Sequence, residues 1–460
     1  MKKILILGAG ITGLSAAWKL SEKGYDVEIL EMDPLVGGLA KTIKFKNSLV
    51  DIGPHSFFSE NKEIYDTVKS LFKDEPEEIP KVKRSVKMFF MNYYVDYPLS
   101  AKSILFQMGP IIPLKSFFSF IKSFIKSLFK KKKLSDKQSI EEWAIGNFGF
   151  FLFKNFFKPY TEQFWKIRTE NLSHRVIPAS KKLDFAKTLK HLFFNKYLEF
   201  SKREPGALNL VQRESLPTFY PKRGFGQIAE KIKQKIEKNN VKIHLNTKVE
   251  KIILRENKKF KINTEKNSFE SDYLISTLPL DYLVKNFEPF NSKDKLKIAA
   301  HNLKYLALKM VYLIVKKKDV LGCQYCYFVG RPYNRVSNLN LFSDDISKEG
   351  TSALSLEISC HKDSKIWLSK DEDIFEECVK NLENDKILDR KDILDWKVLD
   401  VPNVYPIYKL DYENHLQVLE DEFRDIKNFF SVGRLGQFYY GDIDQMMKLG
   451  FDTAEKISKT

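Results

Sequence analysis

The chain has 460 residues, 43% of them hydrophobic and 30% charged, and 77 Lys and Arg against 60 Asp and Glu give a formal net charge of +17. That balance is globular, with material for two cores. No apolar run reaches the ~20 residues needed to span a bilayer, nothing resembles a nucleic-acid module, and the start Met1-Lys2-Lys3 with its short apolar run lacks the plan of a secretory signal.

Residues 2–7 read as a short buried strand, Gly8-Ala9-Gly10-Ile11-Thr12-Gly13 opens a helix over 14–23, and a second strand over 25–30 is closed by Glu31. The spacing predicts a dinucleotide-binding βαβ unit. Gly8 permits the tight turn, Gly10 leaves no Cβ between the backbone and a pyrophosphate, and Gly13 lets the helix pack closely on the sheet. The phosphates then meet the N–H groups at Ile11 and Thr12 and the positive helix end, while Glu31 accepts from ribose hydroxyls. Next comes Met32-Asp33-Pro34-Leu35-Val36-Gly37-Gly38-Leu39-Ala40-Lys41-Thr42. A glycine pair leading to a basic residue resembles the extended FAD fingerprint of the amine oxidase and protoporphyrinogen oxidase superfamily. The resemblance implies FAD, with Gly37 and Gly38 bringing a second stretch of backbone to the diphosphate or isoalloxazine and Lys41 or Thr42 on the phosphates. Read alone, the pair is an ordinary turn between two strands.

Val50-Asp51-Ile52-Gly53-Pro54-His55-Ser56-Phe57-Phe58 is a strand end and sharp turn that delivers Gly53, Pro54 and His55 together. His55 either faces solvent on that turn or lies beside the flavin ring and orients substrate. A strand over 86–95 and an aromatic, mainly helical region to about 204 follow. Within it, Phe117, Phe118, Phe120, Ile121, Phe124, Ile125, Leu128 and Phe129 recur at helical spacing, flanked by Lys115, Lys122, Lys126 and Lys130 to Lys133. The stripe over 114–133 fits a core-facing helix or an interfacial helix on anionic headgroups. Lysine is spread through the whole chain, so the basic balance reflects residue usage or anionic partners.

Arg203-Glu204-Pro205-Gly206 marks a boundary. Beyond it the pattern predicts a helix over 228–238 and strands over 241–245, 249–255, 260–264 and 273–276, a meander that returns to the nucleotide domain near Thr277. Val249, which opens the second of these strands, is counted among the cofactor residues. A strand-rich segment follows over 295–412, with strands at 304–315, 325–329, 352–359 and 393–401. The pair Cys323 and Cys326 has no second Cys or His pair at zinc spacing, so no metal is expected and the four cysteines read as buried thiols in a reducing cytoplasm. Finally, Phe429-Phe430-Ser431-Val432-Gly433-Arg434-Leu435-Gly436 is a strand entering a tight turn, and Asp442-Ile443-Asp444-Gln445 caps a last helix over 446–456. Asp442 and Ile443 would aim that helix end at the flavin N1 and C2 carbonyl.

These motifs, with Tyr97-Pro98-Leu99, Phe157-x-x-Tyr160-Thr161-Glu162-x-x-Trp165 and Tyr405-Pro406-Ile407, resemble over nearly the full length the FAD-dependent family of UDP-galactopyranose mutase and its oxidoreductase relatives. The resemblance implies an α/β chain: a discontinuous Rossmann-type FAD domain (1–75, 205–290, 415–460) and an inserted mixed α+β substrate domain, 76–204 mainly helical and 291–414 strand-rich. It places His55, Arg434 and Tyr440 in catalysis, with Arg168 or Arg335 as further cations. Phe438 stands where the mutases usually have a tyrosine. Two activities share this scaffold. The first is oxidation of a cell-envelope sugar, nucleotide sugar or lipid-linked substrate. The second is a redox-neutral mutase reaction in which reduced flavin N5 attacks the anomeric carbon and the displaced diphosphate returns. A small-molecule substrate, a cytoplasmic setting and peripheral membrane contact complete the expectation, and the oligomeric state stays open.

Overall fold

The computed structural model describes residues 2–97, 111–129, 138–177 and 216–459, except the side chains of 113, 124 and 126–129. The boundary signal at Arg203-Glu204-Pro205-Gly206, the Pro98-Leu99 pair and Lys130 to Lys133 therefore lie outside the described residues.

Lys3–Leu7 and Asp26–Leu30 are almost wholly buried because both faces of their sheet are covered: Ile4, Ile6 and Ile29 pack on helices Ile11–Glu22 and Gln227–Lys238, and Leu5, Leu7 and Leu30 join the core of the antiparallel sheet that contains Ile252, Phe260 and Ile262. Strands buried on both faces read as continuous apolar runs. The sheet is parallel and five-stranded, in the order Phe429–Ser431, Tyr273–Ser276, Lys3–Leu7, Asp26–Leu30, Lys242–His244. Its strands come from three distant parts of the chain, and their carboxyl ends share one edge, where open α/β sheets bind ligands. Helix Ile11–Glu22 starts at Ile11, earlier than predicted, and packs against helix Ile443–Ser458. The contact is close at Gly450, where a Cβ would stand 2.5 Å from the Thr12 carbonyl oxygen. The predicted meander is present: Val249–Leu254, Phe260–Thr264 and Ser268–Ser271 pair antiparallel, and Tyr273–Ser276 then joins Lys3–Leu7.

A seven-stranded sheet forms the second layer, in the order Ile393–Pro406, Tyr305–Val315, Ser352–Cys360, Arg335–Asn338, Tyr325–Phe328, Val86–Phe90, Tyr93–Asp96. The single strand expected over 86–95 is a hairpin instead, because Met91 and Asn92 adopt φ of 49° and 66°, the left-handed pair that a two-residue turn requires. Strand Arg335–Asn338 and helix Asp371–Asn384 were not read from the sequence. Cys323, Cys326, Cys360 and Cys378 are buried free thiols. The chain is thus α/β, with a Rossmann-type sheet and an inserted mixed region, as the motifs predict.

Candidate active site

The first glycine loop is built by exclusion. Gly8 has φ of +104°, and a Cβ on it would lie 2.2 Å from Thr277 Oγ1. A Cβ on Gly13 would lie 2.1 Å from the Gly8 carbonyl oxygen. Gly10 differs: a Cβ there would meet nothing within 4 Å, so the loop opens onto space at that position alone of the three. Gly10 is also the N-cap of helix Ile11–Glu22 and offers no side chain to the first amides. Those N–H groups at Ile11 and Thr12 are a ready anion site.

The second glycine pair closes on the first. Gly37 N–H donates to the Ala9 carbonyl at 2.8 Å, and a Cβ on Gly38 would lie 3.2 Å from Gly10 Cα. Glu31 holds both loops, accepting from Ala9 N–H at 2.7 Å and Asp33 N–H at 2.9 Å, and burial pushes its carboxyl up despite these donors. Lys41 is paired with Asp33. The Thr42 hydroxyl donates to Asp51 at 2.6 Å and accepts from Gly226 N–H at 2.7 Å, so its work is internal. Val249 is buried, and its carbonyl accepts from the Tyr282 hydroxyl at 2.6 Å.

Asp51 anchors the third approach. Its wholly buried carboxylate accepts from Thr42, from the Tyr220 hydroxyl at 2.6 Å and from Phe225 N–H at 3.1 Å, and its carbonyl accepts from Tyr312. Burial raises its pKa to about 6. The chain then turns at Gly53, with φ of +69°, and passes Pro54 to His55. A Cβ on Gly53 would lie 3.4 Å from Arg335 Nη2 and 3.7 Å from both Glu357 Oε1 and His55 Nε2. His55 is half-buried and its ring meets Phe225 edge to face at 6.0 Å, while the Gly53 turn beside it borders a buried ion pair. In that pair Arg335 donates through Nε at 2.7 Å and Nη2 at 2.5 Å to Glu357 Oε1, and the guanidinium lies over the Tyr325 ring.

The carboxy-terminal segment completes the site. After strand Phe429–Ser431 the chain makes a short helical turn, Gly433–Gly436, where a continuing tight turn was expected. Arg434 Nη2 donates to the Gly441 carbonyl at 2.6 Å, and its guanidinium sits 5.8 Å and 5.7 Å from the rings of Tyr405 and Tyr440. Asp442 and Gln445 form a capping box at the start of helix Ile443–Ser458, which begins three residues before its predicted start. Ser59, just past the His55 turn, donates to Asp444 at 2.7 Å and joins the two halves. Tyr405 and Tyr440 lie 5.3 Å apart, Trp165 lies against both, and Tyr160 meets Tyr327 at 6.0 Å. Burial raises the phenol pKa of Tyr160, Tyr405 and Tyr440, so each is a neutral hydroxyl at physiological pH. Both Arg335 and Arg434 act electrostatically on Tyr405.

Arg335 thus belongs to this cluster, whereas Arg168 is exposed beside Glu170. Phe438 is buried against Tyr305 and Tyr408. Glu357 was not read from the sequence.

The residues fit an FAD. Gly10 leaves an open position, the helix start beside it has no side-chain cap, Glu31 holds the loop, and the helix capped at Asp442 packs against the first helix. Comparison with known proteins agrees. The chain is 23% identical over 470 aligned residues, covering 99% of this chain and 94% of the relative, to a Klebsiella pneumoniae protein named probable UDP-galactopyranose mutase. It is 23% identical over 287 residues to a 1-hydroxycarotenoid 3,4-desaturase from Flavobacterium sp. (strain P99-3), covering 60% of this chain and spanning 57% of that protein's length. A crystal structure of reduced UDP-galactopyranose mutase superposes with a TM-score of 0.82 at 21% identity, covering 100% of this chain and 96% of the other. Residues 11–417 match the flavin containing amine oxidoreductase family, and the chain belongs to that family as an FAD-dependent enzyme.

Proposed function

We propose that this flavoenzyme acts on a diphosphate-bearing sugar nucleotide and interconverts its pyranose and furanose forms, the reading suggested by its full-length mutase relative. The observation that carries it is that two guanidiniums border one tyrosine cluster, Arg434 against the rings of Tyr405 and Tyr440 and Arg335 against those of Tyr325 and Tyr327. Such a cluster recognises a phosphate by charge and by hydrogen bonds together. Bound FAD supplies a hydride acceptor when oxidised and a nucleophilic ring nitrogen when reduced. Arg434, which makes no ion pair among the described residues, holds the diphosphate, and Tyr440 donates to it. His55 orients the sugar, held in place by the Gly53 turn. Gly8, Gly10, Ile11, Thr12, Gly13, Glu31, Gly37, Gly38, Lys41, Gly53, Pro54, Val249, Gly433, Asp442 and Ile443 form the cofactor side.

The division of labour follows the sheets. Residues 1–75, 205–290 and 415–460 hold the cofactor and contribute every strand of the parallel sheet, while 76–204 and 291–414 serve the substrate and contribute every strand of the seven-stranded one. A second reading, net oxidation of a sugar, is favoured by Glu357. Its carboxylate already neutralises Arg335, which leaves one cation where a diphosphate would take two. Dithionite-reduced protein given UDP-galactopyranose tests the choice: furanose product with no net electron uptake is expected. Product formed only with an added oxidant would replace the mutase by the oxidase.

A further inference from the structure

Helix Ile111–Phe129 is packed with the wrong face outward for a helix that only serves a core. Its inner side carries serines: Ser116 is buried, and Ser119 accepts from Phe151 N–H at 2.9 Å on the neighbouring helix Ile140–Leu152. The two helices approach so closely that a Cβ on Gly149 would stand 2.7 Å from the Phe120 nitrogen. The outer side carries Ile111, Leu114, Phe117, Phe118 and Ile125, which are 48% to 64% exposed, and the rings of Phe117 and Phe118 touch only edge to face at 5.9 Å. Phe150 of the neighbouring helix is exposed as well. A contiguous arc of large apolar side chains on a helix marks an interaction surface.

We infer that this face seats the protein on an anionic lipid bilayer. Exposed Lys115 and Lys122 stand two turns apart along one edge of the apolar arc, and no acidic residue occurs anywhere in the helix. A large apolar face bordered by lysine, on a chain of net charge +17, complements negative headgroups over acyl chains. No described helix is long and apolar enough to cross a membrane, so the contact is one of surface seating. A second copy packed antiparallel on this face would set the two lysine edges against like charge, which disfavours that pairing.

The holoenzyme should co-sediment with vesicles of equimolar phosphatidylcholine and phosphatidylglycerol, at least tenfold more tightly than with phosphatidylcholine alone. The pair F117S and F118S should lose that binding on both kinds of vesicle while keeping the flavin spectrum of the parent. K115E with K122E should lose only the preference for phosphatidylglycerol. Absence of vesicle binding overturns the inference. So does unaltered binding in the serine variant, or a parental dimer that the serine variant converts to monomer, since this would make the face a contact between copies.

Discussion

Gly433 and Thr12, from opposite ends of the chain, are in contact: a Cβ on Gly433 would stand 2.9 Å from Thr12 Oγ1 and 3.1 Å from its Cβ. Gly433 has φ of +85°, so the close approach and the backbone conformation both require glycine there. Through this contact the carboxy-terminal turn, which carries Arg434, is registered on the start of helix Ile11–Glu22.

G433A is therefore expected to cost roughly 1–3 kcal/mol in stability, from strain at positive φ plus displacement of Thr12. The displacement acts on the first turn of helix Ile11–Glu22, so the ratio of bound FAD to protein should fall with the melting temperature. Purified G433A with full flavin content and parental melting would show that the two ends of the chain are not coupled at this point.

Arg434 donates to the Gly441 carbonyl through a planar group lying beside Tyr405 and Tyr440. R434K keeps the charge and loses the fork, so a bidentate phosphate contact becomes a point contact. KM for the UDP-sugar should rise about tenfold, equivalent to about 1.4 kcal/mol, with the flavin absorbance unaltered. An unmoved KM would remove the diphosphate from Arg434.

The two kinds of feature differ in how they could be read from the chain. Tyr305–Val315 and Lys3–Leu7 declare themselves as apolar runs, and the glycine spacing at Gly8, Gly10 and Gly13 is a local geometric requirement. Glu357 does not declare itself. It lies in a strand with every residue buried, Ser352–Cys360, whose serines and single glutamate imitate the alternation of a half-exposed strand. Its partner Arg335 is 22 residues away on a short polar strand without periodicity. Asp51 was legible as a strand end, but its bond to Tyr220 spans 169 residues and depends on the tertiary fold. The outward face of helix Ile111–Phe129 was legible as a stripe, yet periodicity alone cannot say which side of a stripe meets the core.

Asp51 gives stability a pH signature. A carboxyl whose folded pKa of about 6 lies above its ordinary 3.8 binds more protons folded than unfolded between the two. Stability from this group is thus fully present at low pH, falls as pH rises toward about 6 and is level above that. D51N has no proton to lose there and keeps an acceptor for Thr42 and Phe225 N–H. The parent minus D51N difference in unfolding free energy should drop by roughly 3 kcal/mol across that window. A difference that stays constant with pH would mean that the carboxyl is ionised throughout, and that its three donors outweigh its burial.

Gly10 separates folding from cofactor binding. Its φ of −70° is open to any residue, and a Cβ there would meet only empty space within 4 Å, so G10A apoprotein should melt within about 1 kcal/mol of the parent. The same methyl points into the space where a pyrophosphate must approach the backbone, so FAD affinity should fall at least a hundredfold, read by titration of flavin fluorescence. G13A is the contrasting case: its Cβ would collide with the Gly8 carbonyl oxygen at 2.1 Å and force the helix off the sheet, so it should lose the fold itself. G10A that retains FAD as tightly as the parent would place the diphosphate elsewhere and remove the basis for reading the first glycine loop as its cradle.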